Sequence, residues 1–70
     1  MPKTFRRGDT VEFQGPHGKV RGKVKKKLTE RTNIQGKTVD ASEDRPRFLV
    51  VSEETGEEVA HEPDSLDKVD

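Results

Sequence analysis

The chain has 70 residues and no cysteine, which limits it to one small domain, residues 1–70, without a disulfide or thiolate-metal staple. No apolar run is long enough to cross a membrane or serve as a signal-peptide core, so a cytoplasmic setting without a membrane partner is expected. The formal net charge is zero, yet residues 1–39 carry 11 Lys/Arg against 3 Asp/Glu, and residues 40–70 carry 3 against 11.

That split points to an interaction surface, or to two halves that pair within one fold. Leu, Ile, Val and Phe number 15 of 70, a composition at the edge of the disordered range. Balanced charge and short alternating apolar runs between Gly and Pro favour a folded chain of modest stability.

In chain order, Met1–Gly8 leads in, with Phe5 as an apolar anchor and Arg6-Arg7-Gly8-Asp9 as a turn. Thr10-Val11-Glu12-Phe13 alternates as a first strand with Val11 and Phe13 inward. Gln14-Gly15-Pro16-His17-Gly18 concentrates two glycines and a proline and reads as a five-residue hairpin loop.

The stretch Lys19–Leu28 is the most informative. One parity is Val20, Gly22, Val24, Lys26 and Leu28; the other is Lys19, Arg21, Lys23, Lys25 and Lys27. A helix would also place Val20, Val24 and Leu28 together, but Gly22 costs roughly 1 kcal/mol in a helix interior, and a helix would scatter the cation row. A strand is expected, with one face in a core and five cations in water on the other.

Thr29–Thr38 is polar apart from Ile34, with a tight turn at Gln35-Gly36. Val39 and Ala41 form a short strand or cover one end of the core. Ser42–Pro46 is loop. Arg47–Ser52 is the most strand-like run and is expected at the centre of the sheet. Glu53–Gly56 makes a hairpin turn, and Glu57–His61 the return strand. Glu62–Leu66 reads as one helical turn begun by Pro63, with Leu66 reaching back to the core. Asp67–Asp70 is a last short strand or a frayed end. The whole describes an all-β, SH3-like (Tudor-like) antiparallel barrel of about five strands, with one helical turn near the C-terminus.

Catalytic chemistry finds little purchase here. There is no Cys, Tyr or glycine-framed Ser nucleophile, and the two imidazoles, His17 and His61, have no ligand cluster at metal spacing around them. His61 is expected to cap or brace the Glu62–Leu66 turn. The acidic pairs Glu53-Glu54 and Glu57-Glu58 flank a turn and read as solvated. No enzyme, metal, cofactor or small-molecule substrate is expected. Phe5, Phe13 and Phe48 are the only aromatics, and three phenylalanines in so small a domain are core rather than a cage for a methylated cation.

The succession Phe5-x-x-Gly8-Asp9-x-Val11-x-Phe13, Gly18-x-x-x-Gly22-x-Val24, Lys27-Leu28-Thr29, Gly36, Ala41-Ser42, Pro46-x-x-Leu49-Val50-x-Ser52, Thr55-Gly56, Ala60-His61-x-Pro63-x-x-Leu66 resembles the hypervirulence-associated protein Tudor domains, a small bacterial and fungal family. The resemblance implies an SH3-like barrel in the cytosol and no established biochemical activity. At the positions of Phe13 and Phe48 such sequences often carry Trp or Tyr, so this chain is poorer in cage-forming rings than its resemblance suggests. The shorter Gly8-Asp9-x-Val11 and Gly18-x-x-x-Gly22-x-Val24 pattern also resembles the KOW element of ribosome- and RNA polymerase-associated barrels.

Neighbouring cations on one strand face lie about 7 Å apart and repel by roughly 0.6 kcal/mol per pair in water before salt screening. They call for neutralisation by the chain's own acids, by an acidic protein face, or by nucleic-acid phosphates. The expected function is a non-catalytic module that binds a protein partner or a second copy of itself. Its surface is expected to comprise Lys19, Arg21, Lys23, Lys25 and Lys27, with His17 and Arg45 in flanking loops. The alternative is KOW-like, sequence-blind binding of RNA or DNA by the basic strand.

Overall fold

Short alternating segments become seven strands in the computed structural model, which describes residues 4–69. Met1–Lys3 of the expected lead-in and the final Asp70 lie outside the described residues. The strands are β1 (Thr10–Gly15), β2 (Gly18–Leu28), β3 (Thr32–Ile34), β4 (Lys37–Val39), β5 (Arg47–Ser52), β6 (Glu58–His61) and β7 (Asp67–Lys68). A 3-10 turn at Pro63–Ser65 separates the last two. The chain is all-β, as the alternation implied. No helix among the described residues is long and apolar enough to cross a membrane.

Five strands form one antiparallel sheet in the order β6-β5-β2-β1-β7, and β3 and β4 make a separate two-stranded hairpin. The sheet is strongly curled. β1 and β6 are separated by two strands, which in a flat sheet means about 14 Å. Yet the rings of Phe13 on β1 and His61 on β6 have centroids only 4.6 Å apart. The enclosed space is filled by Phe5, Val11, Phe13, Val24, Phe48, Val50 and Leu66. Phe5 meets Phe48 edge to face at 5.2 Å, a favourable ring geometry.

Gly22 permits a close approach of β2 to β5. It pairs with Val11 and Ser52, and a Cβ built on it would lie 2.6 Å from both Val50 Cγ1 and the Val51 carbonyl oxygen. Any side chain there would force β2 and β5 apart.

The first hairpin is tighter than the expected five-residue loop. Gly15 pairs with Gly18, leaving only Pro16 and His17 between the strands. Neither takes a positive φ; the left-handed step falls on Gly18 at φ +125°. Pro16 suits the first central position of the turn, and Gly18 absorbs the twist that Pro cannot. At Gln35 and Gly36 both φ values are positive, +50° and +83°, which makes the two-residue turn joining β3 to β4. Val39 ends β4, whereas Ala41 is in no strand.

The main departure lies in β2. Val24 pairs with Val50, but the next pairs are Lys26 with Leu49 and Lys27 with Phe48, so Lys25 is an extra, bulged residue. Opposed residues share a sheet face. Beyond the bulge Lys26 therefore points outward, Lys27 lies on the Phe48 side, and Leu28 shares the outer face with Leu49. The expected row of five cations on one face is thus broken at Lys25, and Lys27 leaves it. Leu28 and Leu49 are buried, 4% and 1% exposed, yet stand outside the central cluster. The outer face near them is covered within the chain itself.

Candidate functional site

Strand direction sorts the candidate residues into two ends and a flank. β1 and β5 run toward one end, where the Pro16–His17 turn and the Glu53–Glu57 turn stand side by side. Between the turns lies an open depression of about 270 Å³, lined by Phe13, Pro16, Val20 and Val59, with Glu54 and Glu57 among its other walls. Its floor is made of side chains at the edge of the core: Phe13 is buried, and Val20 and Val59 pack against the core while partly buried themselves.

The second turn is braced from below. The Gly56 and Thr55 N–H groups donate to the Ser52 carbonyl (2.9 Å) and the Ser52 hydroxyl (3.4 Å), and Ser52 N–H donates to the Glu57 carbonyl (2.9 Å). Glu53 N–H reaches across to the Arg21 carbonyl at 3.0 Å. Backbone bonds therefore fix the turn while Glu53, Glu54 and Glu57 stay exposed on it. An apolar floor with carboxylates at its edge suits a side chain with an aliphatic stem and a cationic head.

The opposite end holds a different groove, about 390 Å³, whose walls include Lys27, Arg45, Pro46, Glu62, Pro63 and Asp64. Arg45 is held there by a two-way bond with Ser42: its N–H donates to the Ser42 hydroxyl at 3.0 Å, and its carbonyl accepts from Ser42 N–H at 3.2 Å. Charges of both signs line this groove.

The seven candidate residues therefore do not form one surface. His17 lines the depression, Arg45 and Lys27 line the far groove, and Lys19, Arg21, Lys23 and Lys25 lie on the flank between. On that flank Arg21 Nη2 pairs with Glu12 Oε2 at 3.2 Å, and Lys25 Nζ with Glu58 Oε2 at 2.9 Å. Arg31 with Asp40 (2.9 Å) and Arg47 with Glu62 (3.7 Å) are further pairs. Two of these pairs, Lys25–Glu58 and Arg31–Asp40, join the basic half to the acidic half.

His61 does not cap the 3-10 turn. The residue at the cap, Glu62, makes no side-chain hydrogen bond there, and the imidazole lies instead against Phe13 at a 36° tilt. Register explains this, because His61 opposes Phe48 on the core face. Burial and then the positive charge of Arg47 hold its pKa below the ordinary histidine value of 6.5. No group of three His, Cys, Asp or Glu side chains able to hold a metal ion occurs among the described residues. The three phenylalanines are all buried, and only Phe13 reaches the depression, so its lining holds one phenylalanine ring rather than a set of rings.

Val20, Val59, Glu54 and Glu57 are absent from the expected surface, as is Lys26. The alternation marked Val20 as inward, but nothing in the sequence shows that it lines one depression with Val59 beneath two turns.

A family model described as the hypervirulence associated proteins TUDOR domain matches residues 8–66. No curated protein and no solved structure matches the chain.

Proposed function

The chain belongs to the hypervirulence-associated protein Tudor-domain family, an SH3-like fold of small interaction modules, and from that membership we propose that it is a non-catalytic module binding a basic segment of another protein. The observation that carries this reading is the depression between the two turns, with its Phe13, Val20 and Val59 floor and the carboxylates of Glu54 and Glu57. A lysine or arginine stem gains by covering that floor, and its head gains from two nearby carboxylates.

The reading is tested by NMR titration with two peptides, one alternating Lys and Ala, the other alternating Glu and Ala. The Lys peptide is expected to shift resonances of Phe13, Val20 and Val59, and the Glu peptide to leave them in place. The double variant Glu54→Gln/Glu57→Gln, altered only at exposed positions, is expected to bind the Lys peptide roughly two- to thirtyfold more weakly. Equal response to both peptides, or silence toward the Lys peptide, removes the proposal.

A further inference from the structure

The cations of β2 are neutralised unevenly. Arg21 and Lys25 have partners in Glu12 and Glu58. Lys19, Lys23 and Lys26 share the same outer face, are exposed, and have no ion pair among the described residues. At the turn end Glu53, Glu54 and Glu57 are exposed and likewise have no ion pair among the described residues. One molecule thus carries an uncompensated basic flank and an uncompensated acidic rim beside an apolar floor.

Net charge is zero and the isoelectric point about 6.7, so near neutral pH no overall repulsion keeps copies apart. We propose that the lysine flank of one copy, Lys19, Lys23 and Lys26, docks on the turn end of a second copy, with a lysine stem over Val20 and Val59 and its ammonium among the carboxylates. This rests on the reading that the depression takes a basic segment, and it names a second copy of this chain as that segment's source.

A nucleic acid is the less fitting occupant of the flank. Glu12 and Glu58 stand among its cations and would face the phosphates, and the chain has no Trp or Tyr on which bases could stack. The contact uses different surfaces on the two partners. It is therefore heterologous, and association continues past a dimer, to a ring where the rotation closes and to a filament where it does not.

The test is sedimentation equilibrium of the whole chain from about 20 to about 500 µM, at about 50 and about 500 mM salt, with an NMR dilution series alongside. At low salt the weight-average mass is expected to rise by at least about 1.5-fold over the range, and to stay at the monomer value at high salt. Amide shifts of Lys19, Lys23 and Lys26 are expected to move together with those of Glu53, Glu54 and Glu57 on dilution. The variants Lys19→Gln/Lys23→Gln/Lys26→Gln and Glu53→Gln/Glu54→Gln/Glu57→Gln should each remain monomeric. Glu43→Gln/Asp44→Asn/Asp64→Asn, with the same charge change at the other end, should associate like the parent.

A chain that stays monomeric at low salt overturns the proposal, as does a far-end variant that is weakened as much as the turn variant. Flank shifts produced by a poly-dT oligonucleotide but not by raising the protein concentration overturn it in favour of nucleic acid. If the monomeric chain still binds the Lys–Ala peptide in the depression, self-docking fails while the broader reading stands.

Discussion

The imidazole of His61 lies against the ring of Phe13, with centroids 4.6 Å apart, and this contact joins strands that have two others between them in the sheet. It closes the barrel with a titratable group.

The pH dependence of stability follows from that placement. In the unfolded chain His61 takes up a proton near 6.5, while burial and Arg47 hold its folded pKa lower. Between those two values the unfolded state binds more protons, so stability rises with pH there and falls as pH drops below about 7. Urea midpoints are expected to be lower at pH 5.5 than at pH 7.5. In His61→Gln that difference should shrink. An unchanged pH dependence in the variant would show that the imidazole is not its source.

Gly22→Ala tests the close approach of β2 and β5. The added methyl meets Val50 Cγ1 and the Val51 carbonyl at 2.6 Å, and neither is the free end of a flexible chain. The expected loss is roughly 1–3 kcal/mol, read as a lower urea midpoint at constant m-value. A neutral effect would mean that the strands can separate without penalty.

The bulge predicts an asymmetry between two single-residue deletions. Removing Lys25 leaves Val24 inward, Lys26 outward and Leu28 beside Leu49, because every other register position already excludes it. Removing Lys23 instead shifts one side of Val24 by a residue and turns side chains to the wrong face. Thermal unfolding should show a folded chain lacking Lys25 and a much less stable or unfolded chain lacking Lys23. Equal damage from both deletions would contradict the register.

The Lys25–Glu58 pair is short, 2.9 Å, but its side chains are 54% and 24% exposed. Water and salt screen it, so a double-mutant cycle with alanine at both positions should give a coupling of about 0.2–1 kcal/mol that declines as salt is added. A larger, salt-independent coupling would mark a much drier contact than the exposure indicates.

Much of the barrel was legible because alternation needs only local pattern. Val11 and Phe13, the Val20–Val24 parity, the apolar run at Phe48–Val51, and Pro63 followed by Leu66 each announce their element. The bulge was not legible, since Lys25, Lys26 and Lys27 are chemically identical and any of them could be the supernumerary residue. The β3–β4 hairpin was signalled only by Gln35-Gly36, because its strands are too polar to show a buried face. The turn at Glu53–Gly56 was evident, but its nearness to Pro16–His17 depends on how tightly the sheet curls. That curvature comes from long-range packing, which periodicity does not encode. For the same reason His61 read as a local brace, although its partner, Phe13, is far away in sequence.

β7 lies alongside β1, and Val69 N–H donates to the Thr10 carbonyl at 2.9 Å, so the incoming and outgoing chain run side by side. The Pro16–His17 hairpin lies about 17 Å further along β1. Thr10 and Val69 are thereby stitched into one seam at the foot of the barrel. The mouth between the hairpins opens at the opposite tip, clear of that seam.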